Sequence, residues 1–112
     1  MSGVSEKTRT KEEWVKVQVK RMLRELDLWF YMPAAAIYGR AGASDFLLCV
    51  HGRFLAIEAK RDEKEKPTKL QMDFLKSVLA AGGDTFIVHS GNLDVFRAWL
   101  TNHMGVSTCL TR

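Results

Sequence analysis

Apolar residues recur along this chain with two different periods, and the switches between the periods mark out its elements. From about Thr10, Val15, Val19, Met22, Leu23 and Leu26 fall at helical spacing, while Lys16, Lys20, Arg21 and Arg24 lie largely on other faces. Thr10 with Glu13 three residues on is a capping-box sequence, so a helix is expected to begin there. Leu28 to Met32 reads as a first strand stopped by Pro33. Phe46 to Val50 and Phe54 to Ile57 are apolar runs flanking His51-Gly52, the composition of a tight hairpin. Both faces of these runs are apolar, so the sheet needs helices on both sides. Pro67 to Ala81 is a second helix with Leu70, Phe74, Leu75, Val78 and Leu79 as its apolar face, ended by Gly82-Gly83. Thr85 to Val88 is a further strand. Asn92 opens a last helix, Leu93 to His103, that packs Phe96, Trp99 and Leu100 inward, and Val106 to Leu110 is expected to add an edge strand. Residues 1–9 are polar and expected to be disordered.

Length and composition change this picture little. The chain of 112 residues is expected to be one domain, 1–112, and 46% hydrophobic with 27% charged residues is an ordinary globular composition. Seventeen Lys and Arg against thirteen Asp and Glu give a net charge of +4, which mildly favours a polyanionic partner. No apolar run is long enough for a membrane span and the N-terminus lacks a signal peptide's apolar core, so a cytoplasmic location without a membrane partner is expected. Cys49 and Cys109 lack metal-ligand spacing and read as reduced core residues.

Chemistry concentrates in the hairpin. If its loop is His51-Gly52 alone, Val50 faces Arg53 and Asp45 faces Glu58, which sets two carboxylates ~4.5–5.5 Å apart at Cβ. Lys60, two residues beyond Glu58, returns to the same face beside both acids. Two opposed carboxylates and an amine at the end of an apolar strand are costly unless something binds there. Glu12 continues the buried stripe of the first helix toward the sheet, whereas Glu13 points away; a first-turn acid serving the helix dipole is the alternative role for Glu12. Gln71 sits at the margin of the second helix's apolar face. The small-residue segment from Ala34 to Ala43, with Arg40, reads as an approach to the acids where a phosphate could come close, or as a plain connecting loop. His51 and His89 lie by turn glycines and read as turn residues. Trp14, Trp29 and Trp99 fall at core positions, with stacking on a base or a second subunit open to Trp14.

Asp45 followed by Glu58-Ala59-Lys60 resembles the D-x(n)-E-x-K signature of the PD-(D/E)xK nuclease superfamily. The order of a helix acid, Gly42-Ala43-Ser44-Asp45, E-x-K and a helix with an early Gln is similar, over residues 12–88, to the virus-type replication-repair nuclease domain, VRR-NUC. The proline common before the aspartate in that family is absent here. The resemblance implies an α/β fold with a restriction-endonuclease-like core, a mixed central sheet flanked by helices in the order αβββαβ. It also implies that Asp45, Glu58 and the Ala59 backbone carbonyl hold Mg2+ or Mn2+, that Lys60 orients or deprotonates the attacking water, and that Glu12 and Gln71 are the helix acid and second-helix glutamine of the site. Arg40, Arg61 and Lys69 are the expected DNA contacts.

Such a chain is expected to be a divalent-metal-dependent, structure-specific DNA endonuclease of viral or phage replication-repair type. It resembles Holliday-junction resolvases, with branched DNA as substrate and a homodimer as the active form. A flap, nicking or restriction-like nuclease is the second possibility, and a non-catalytic nucleic-acid-binding module the third. Hard oxygen donors favour Mg2+ or Mn2+ over zinc.

Overall fold

The computed structural model describes residues 10–34 and 40–105. The expectations for residues 1–9, for 35–39, for Cys109 and for an edge strand over 106–110 lie outside them. Helix α1 (Lys11–Glu25) is followed by β1 (Phe30–Tyr31), β2 (Phe46–Val50) and β3 (Arg53–Ala59), then α2 (Lys69–Ala80), β4 (Asp84–Val88) and α3 (Leu93–Met104). The sheet runs β1-β2-β3-β4. Its first two pairings are antiparallel and the third, reached through α2, is parallel, because parallel neighbours need a crossover long enough to hold a helix. This is the mixed α/β sheet with flanking helices that the sequence led us to expect.

The start of α1 is set by Thr10, whose hydroxyl accepts from the Glu13 amide (3.1 Å) while Glu13 accepts from the Thr10 amide (2.9 Å). Thr68 and Gln71 repeat the arrangement at α2. Asn92 does not cap α3 through its side chain. Instead it accepts from the His89 amide (2.7 Å) and donates to the Ile87 carbonyl (3.0 Å), pinning the turn after β4.

The hairpin turns on two residues with positive φ, His51 (51°) and Gly52 (83°), as a two-residue type I′ turn requires. Its register pairs Val50 with Arg53 and Phe46 with Ile57, so Asp45 stands opposite Glu58. Alternation then sends the strands' side chains into two clusters on opposite faces. On one face Phe46, Leu48, Leu55, Ile57 and Val88 meet Val15, Val19 and Leu23 of α1 and Phe96 and Leu100 of α3. On the other, Ala56 and Leu47 meet Phe74, Leu75 and Val78 of α2.

Coverage of the second face is incomplete, and several expectations fail for that reason. Cys49, expected in the core, is exposed. Trp29 (64%), Tyr31 (56%) and Phe54 (42%) are exposed as well, and the register places them on neighbouring positions of this α2 face. Leu70 and Leu79 are exposed because α2 meets the sheet through Phe74, Leu75 and Val78, with Met72 at the margin. Trp14, also expected inward, is exposed on α1. The first strand is shorter than the expected Leu28 to Met32, since the Leu28 amide is drawn back to the Leu23 carbonyl (3.0 Å) after Asp27 takes a positive φ (56°). No helix among the described residues is long and apolar enough to cross a membrane.

Gly42 and Gly52 both have positive φ, but only Gly42 lacks room: a Cβ there would lie 2.4 Å from the Leu70 carbonyl oxygen, whereas nothing lies near Gly52. Gly52→Ala is therefore expected to cost only the left-handed strain, ~1–2 kcal/mol. Gly42→Ala adds a backbone clash and is expected to lower the thermal midpoint clearly further, as paired melting curves would show.

Candidate active site

The sheet end opposite the hairpin turn gathers the acids. Asp45 immediately precedes β2, and its Oδ2 accepts a hydrogen bond from the Ala59 amide of β3 (2.8 Å), which ties the carboxylate to the opposing strand. Its Oδ1 lies 3.2 Å from the Nζ of Lys16 on α1, and the same ammonium is 3.7 Å from Glu12 Oε2. Glu58 is 1% exposed. Its Oε2 lies 3.7 Å from Lys60 Nζ, while its buried Oε1 has no hydrogen-bond partner among the described residues. Lys60 is itself buried, and its amide donates to the Val88 carbonyl (2.8 Å), so the β3–β4 ladder holds it in place.

The structure thus brings Asp45, Glu58 and Lys60 together, with Glu12 joined to them through Lys16. Glu13 is committed to the helix cap, which leaves Glu12 as the helix acid facing the site. Gln71 lines a cleft of about 350 Å³ together with Arg40, Gly42, Ser44 and Asp45. One of its side-chain atoms is already engaged, since Oε1 accepts from the Thr68 amide (2.8 Å). Arg40 also stacks its guanidinium 5.0 Å over the Phe74 ring. Arg61 and Lys69 stand apart from this cleft, exposed and beside Asp62 (3.6 Å) and Asp73 (3.2 Å). His51 occupies the hairpin turn at the far end of the strands. His89 Nδ1 accepts from the Gly91 amide (3.0 Å), a turn role.

Two contributors escaped the sequence reading. Helical spacing puts Lys16 on a face away from the stripe, yet it is the cation that meets Asp45, and its spacing of four from Glu12 is the signal in the sequence. Ser44 is 1% exposed and its Oγ has no partner among the described residues, for which a serine before an aspartate offers no sequence cue.

Electrostatics leave this cluster short of positive charge. Burial first, then the nearby Asp45 charge, pushes the Glu58 carboxyl up to about 8, and Lys60 offsets only part of that. Glu12 is raised by burial and by Glu65. Burial pulls Lys16 down, but Asp45, Glu12 and Glu58 outweigh it and the net shift is upward. A buried oxygen without a donor, on the residue paired across the hairpin with Asp45, fits a hard divalent cation. Among the described residues no group of three His, Cys, Asp or Glu side chains is placed to share a metal ion. Two carboxylates are what the side chains offer. A β residue's N–H and C=O leave the strand on the same edge, so the Ala59 carbonyl lies on Asp45's side and can add a third oxygen. Mg2+ commonly retains several waters, so a small protein donor set suits it.

No family sequence model matches the chain, and no curated protein does. Solved structures do. One, titled "VRR_NUC domain", superposes with a TM-score of 0.64 at 29% identity over 73% of this chain and 87% of its own. The fold is that of a VRR-NUC domain. A second, titled "VRR_NUC domain protein", reaches a TM-score of 0.67 at 17% identity over 87% of this chain and 90% of its own, and repeats the likeness of fold. In this chain Glu12, the opposed Asp45 and Glu58 and the Lys60 amine lie at one end of the central sheet.

Folded Glu58 holds a proton at pH values where the unfolded chain, with its carboxyl near 4.5, has released it. Without divalent cations, the contribution of Glu58 to stability is therefore expected to be fully present below pH 4.5 and to be lost as pH rises through about 8. Glu58→Gln should flatten that decline and raise stability at pH 8, measured by denaturant unfolding in EDTA across the range.

Proposed function

We propose that this VRR-NUC nuclease domain is a Mg2+- or Mn2+-dependent endonuclease that hydrolyses phosphodiester bonds in branched DNA. The Holliday junction is its foremost substrate and a homodimer its working form. The observation that carries the reading is the buried Glu58 carboxyl opposite Asp45, whose Oε1 has no hydrogen-bond donor among the described residues while its Oε2 lies beside Lys60. Asp45, Glu58 and the Ala59 carbonyl would hold the cation. When bound, such an ion supplies a Lewis acid for the scissile phosphate and makes water acidic enough to act near neutral pH. Lys60 is confined beside Glu58, where its ammonium can position the attacking water and offset charge that builds on the phosphate oxygens. Glu12 and Lys16 adjust the charge at the rim, and Arg40 stands in the cleft where a neighbouring phosphate would pass.

A junction has two-fold symmetry, and a symmetric dimer would present two such sites to strands at related positions. The uncovered sheet face at Trp29, Tyr31 and Phe54 favours self-association, since exposed aromatic area of this kind commonly marks a protein contact. A viral or phage role in replication and repair, in the cytoplasm of a bacterial host, suits such an enzyme.

The test is incubation of purified protein with labelled four-way junction, flap and linear duplex in Mg2+, Mn2+ or EDTA. Paired cuts in the junction, abolished by EDTA, are expected; cleavage of flaps or any duplex would move the reading to a less selective nuclease. Lys60→Ala is expected to lose cleavage by roughly two to four orders of magnitude with binding retained, the scale for removing one positioned charged group. Unimpaired cutting by that variant would remove Lys60 from the chemistry.

A further inference from the structure

Lys16 touches the acid cluster, and two more cations follow it at intervals of four along α1: Lys20 and Arg24. Residues four apart on a helix stand one above the other, so the three form a single row that begins at Asp45 and leads away from it. Each step advances ~6 Å and the row spans ~12 Å, long enough to follow several successive phosphates of one strand.

The surroundings of the row are unusual for a solvated helix face. Lys20 and Arg24, with Arg21 beside them, line an open groove of about 560 Å³ whose remaining lining is Val17 and Glu25. Val17 supplies an apolar floor along which long cationic side chains can lie. Glu25 is the groove's one acid, and it is already met by Arg97 from α3 at 3.4 Å. Among the described residues Lys20, Arg21 and Arg24 make no ion pair, although elsewhere Lys69, Arg53 and Arg61 each find an acid. The cations therefore face solvent without internal compensation, next to a site whose own acids repel a polyanion. A nuclease of this kind needs positive charge close to its carboxylates, and α1 provides it.

We propose that the Lys20 and Arg24 row of α1 is the track along which the DNA backbone enters the active site, with Lys16 as its inner end. The inference rests on the nuclease reading and adds to it the binding face, which differs from Arg61 and Lys69. Contacts of this type go to phosphates, so the track orients the strand without reading its sequence.

Binding of a labelled four-way junction, measured by fluorescence anisotropy in EDTA from 50 to 200 mM salt, tests this without any need for cleavage. The doubly substituted Lys20→Ala/Arg24→Ala protein is expected to bind roughly ten-fold more weakly and to lose about two units from the slope of log affinity against log salt, ~0.9 for each phosphate contact. A control that removes the same charge elsewhere, Lys64→Ala/Lys76→Ala, should leave that slope near the wild-type value. The exchange Lys20→Arg/Arg24→Lys should retain it. Equal losses in the control, or none in the α1 variant, would overturn the track while leaving the nuclease reading intact. A wild type that binds no DNA would overturn both.

Discussion

Two carboxylates held opposite each other across an antiparallel pair repel, and the structure is arranged to keep them there. The Asp45 carboxylate accepts from the Ala59 amide, which prevents it from swinging away, while Glu58 is sealed by the sheet and its helices. An unpaired oxygen in a buried site costs on the order of 1–3 kcal/mol and more if it is charged. With Lys60 supplying one long contact at 3.7 Å, the local charge is only partly balanced. The consequence is a Glu58 carboxyl that keeps its proton well above the usual carboxylate range and whose charged form lacks a full counter-charge.

The surrounding fold explains how so unfavourable an arrangement persists. The two-residue turn fixes the register, the parallel β3–β4 ladder fixes Lys60, and α1 brings Glu12 and Lys16 in from the side. Each device is anchored in the main core of Val15, Val19, Phe46, Ile57 and Phe96, so the hydrophobic interior carries the strain of the polar end. A second polar anchor lies at the other end of the sheet. There Arg53 donates twice to Asp84 at 2.9 Å and His103 stands 2.8 Å from the same carboxylate, which holds Asp84 down to about 2. Nothing comparable satisfies Glu58. The contrast between a fully paired acid and a deprived one in the same sheet is what singles out the site.

Much of this was legible in the chain. A turn of two residues leaves only one register, so Asp45 opposite Glu58 followed from counting, and helical spacing separated Glu12 from Glu13. Coverage was not legible. Apolar residues on both strand faces announce that helices are needed, but not that a single helix over the second face would leave Cys49, Trp29 and Phe54 outside. Leu70 and Leu79 have the same cause, since a helix's apolar stripe is wider than the part a neighbour happens to cover. Lys16 is not legible because its place just beyond the buried stripe is solvent-facing by helical spacing, while the long side chain reaches back to an acid contributed by a different element.

The most direct test of the carboxylate pocket is the thermal midpoint at pH 7.5 with and without millimolar Mn2+, for the wild type and for Asp45→Asn. A cation that binds only the folded state raises the midpoint in proportion to its occupancy. The account predicts a rise in the wild type that is lost in Asp45→Asn. No rise in the wild type, or an equal rise in both proteins, would contradict it.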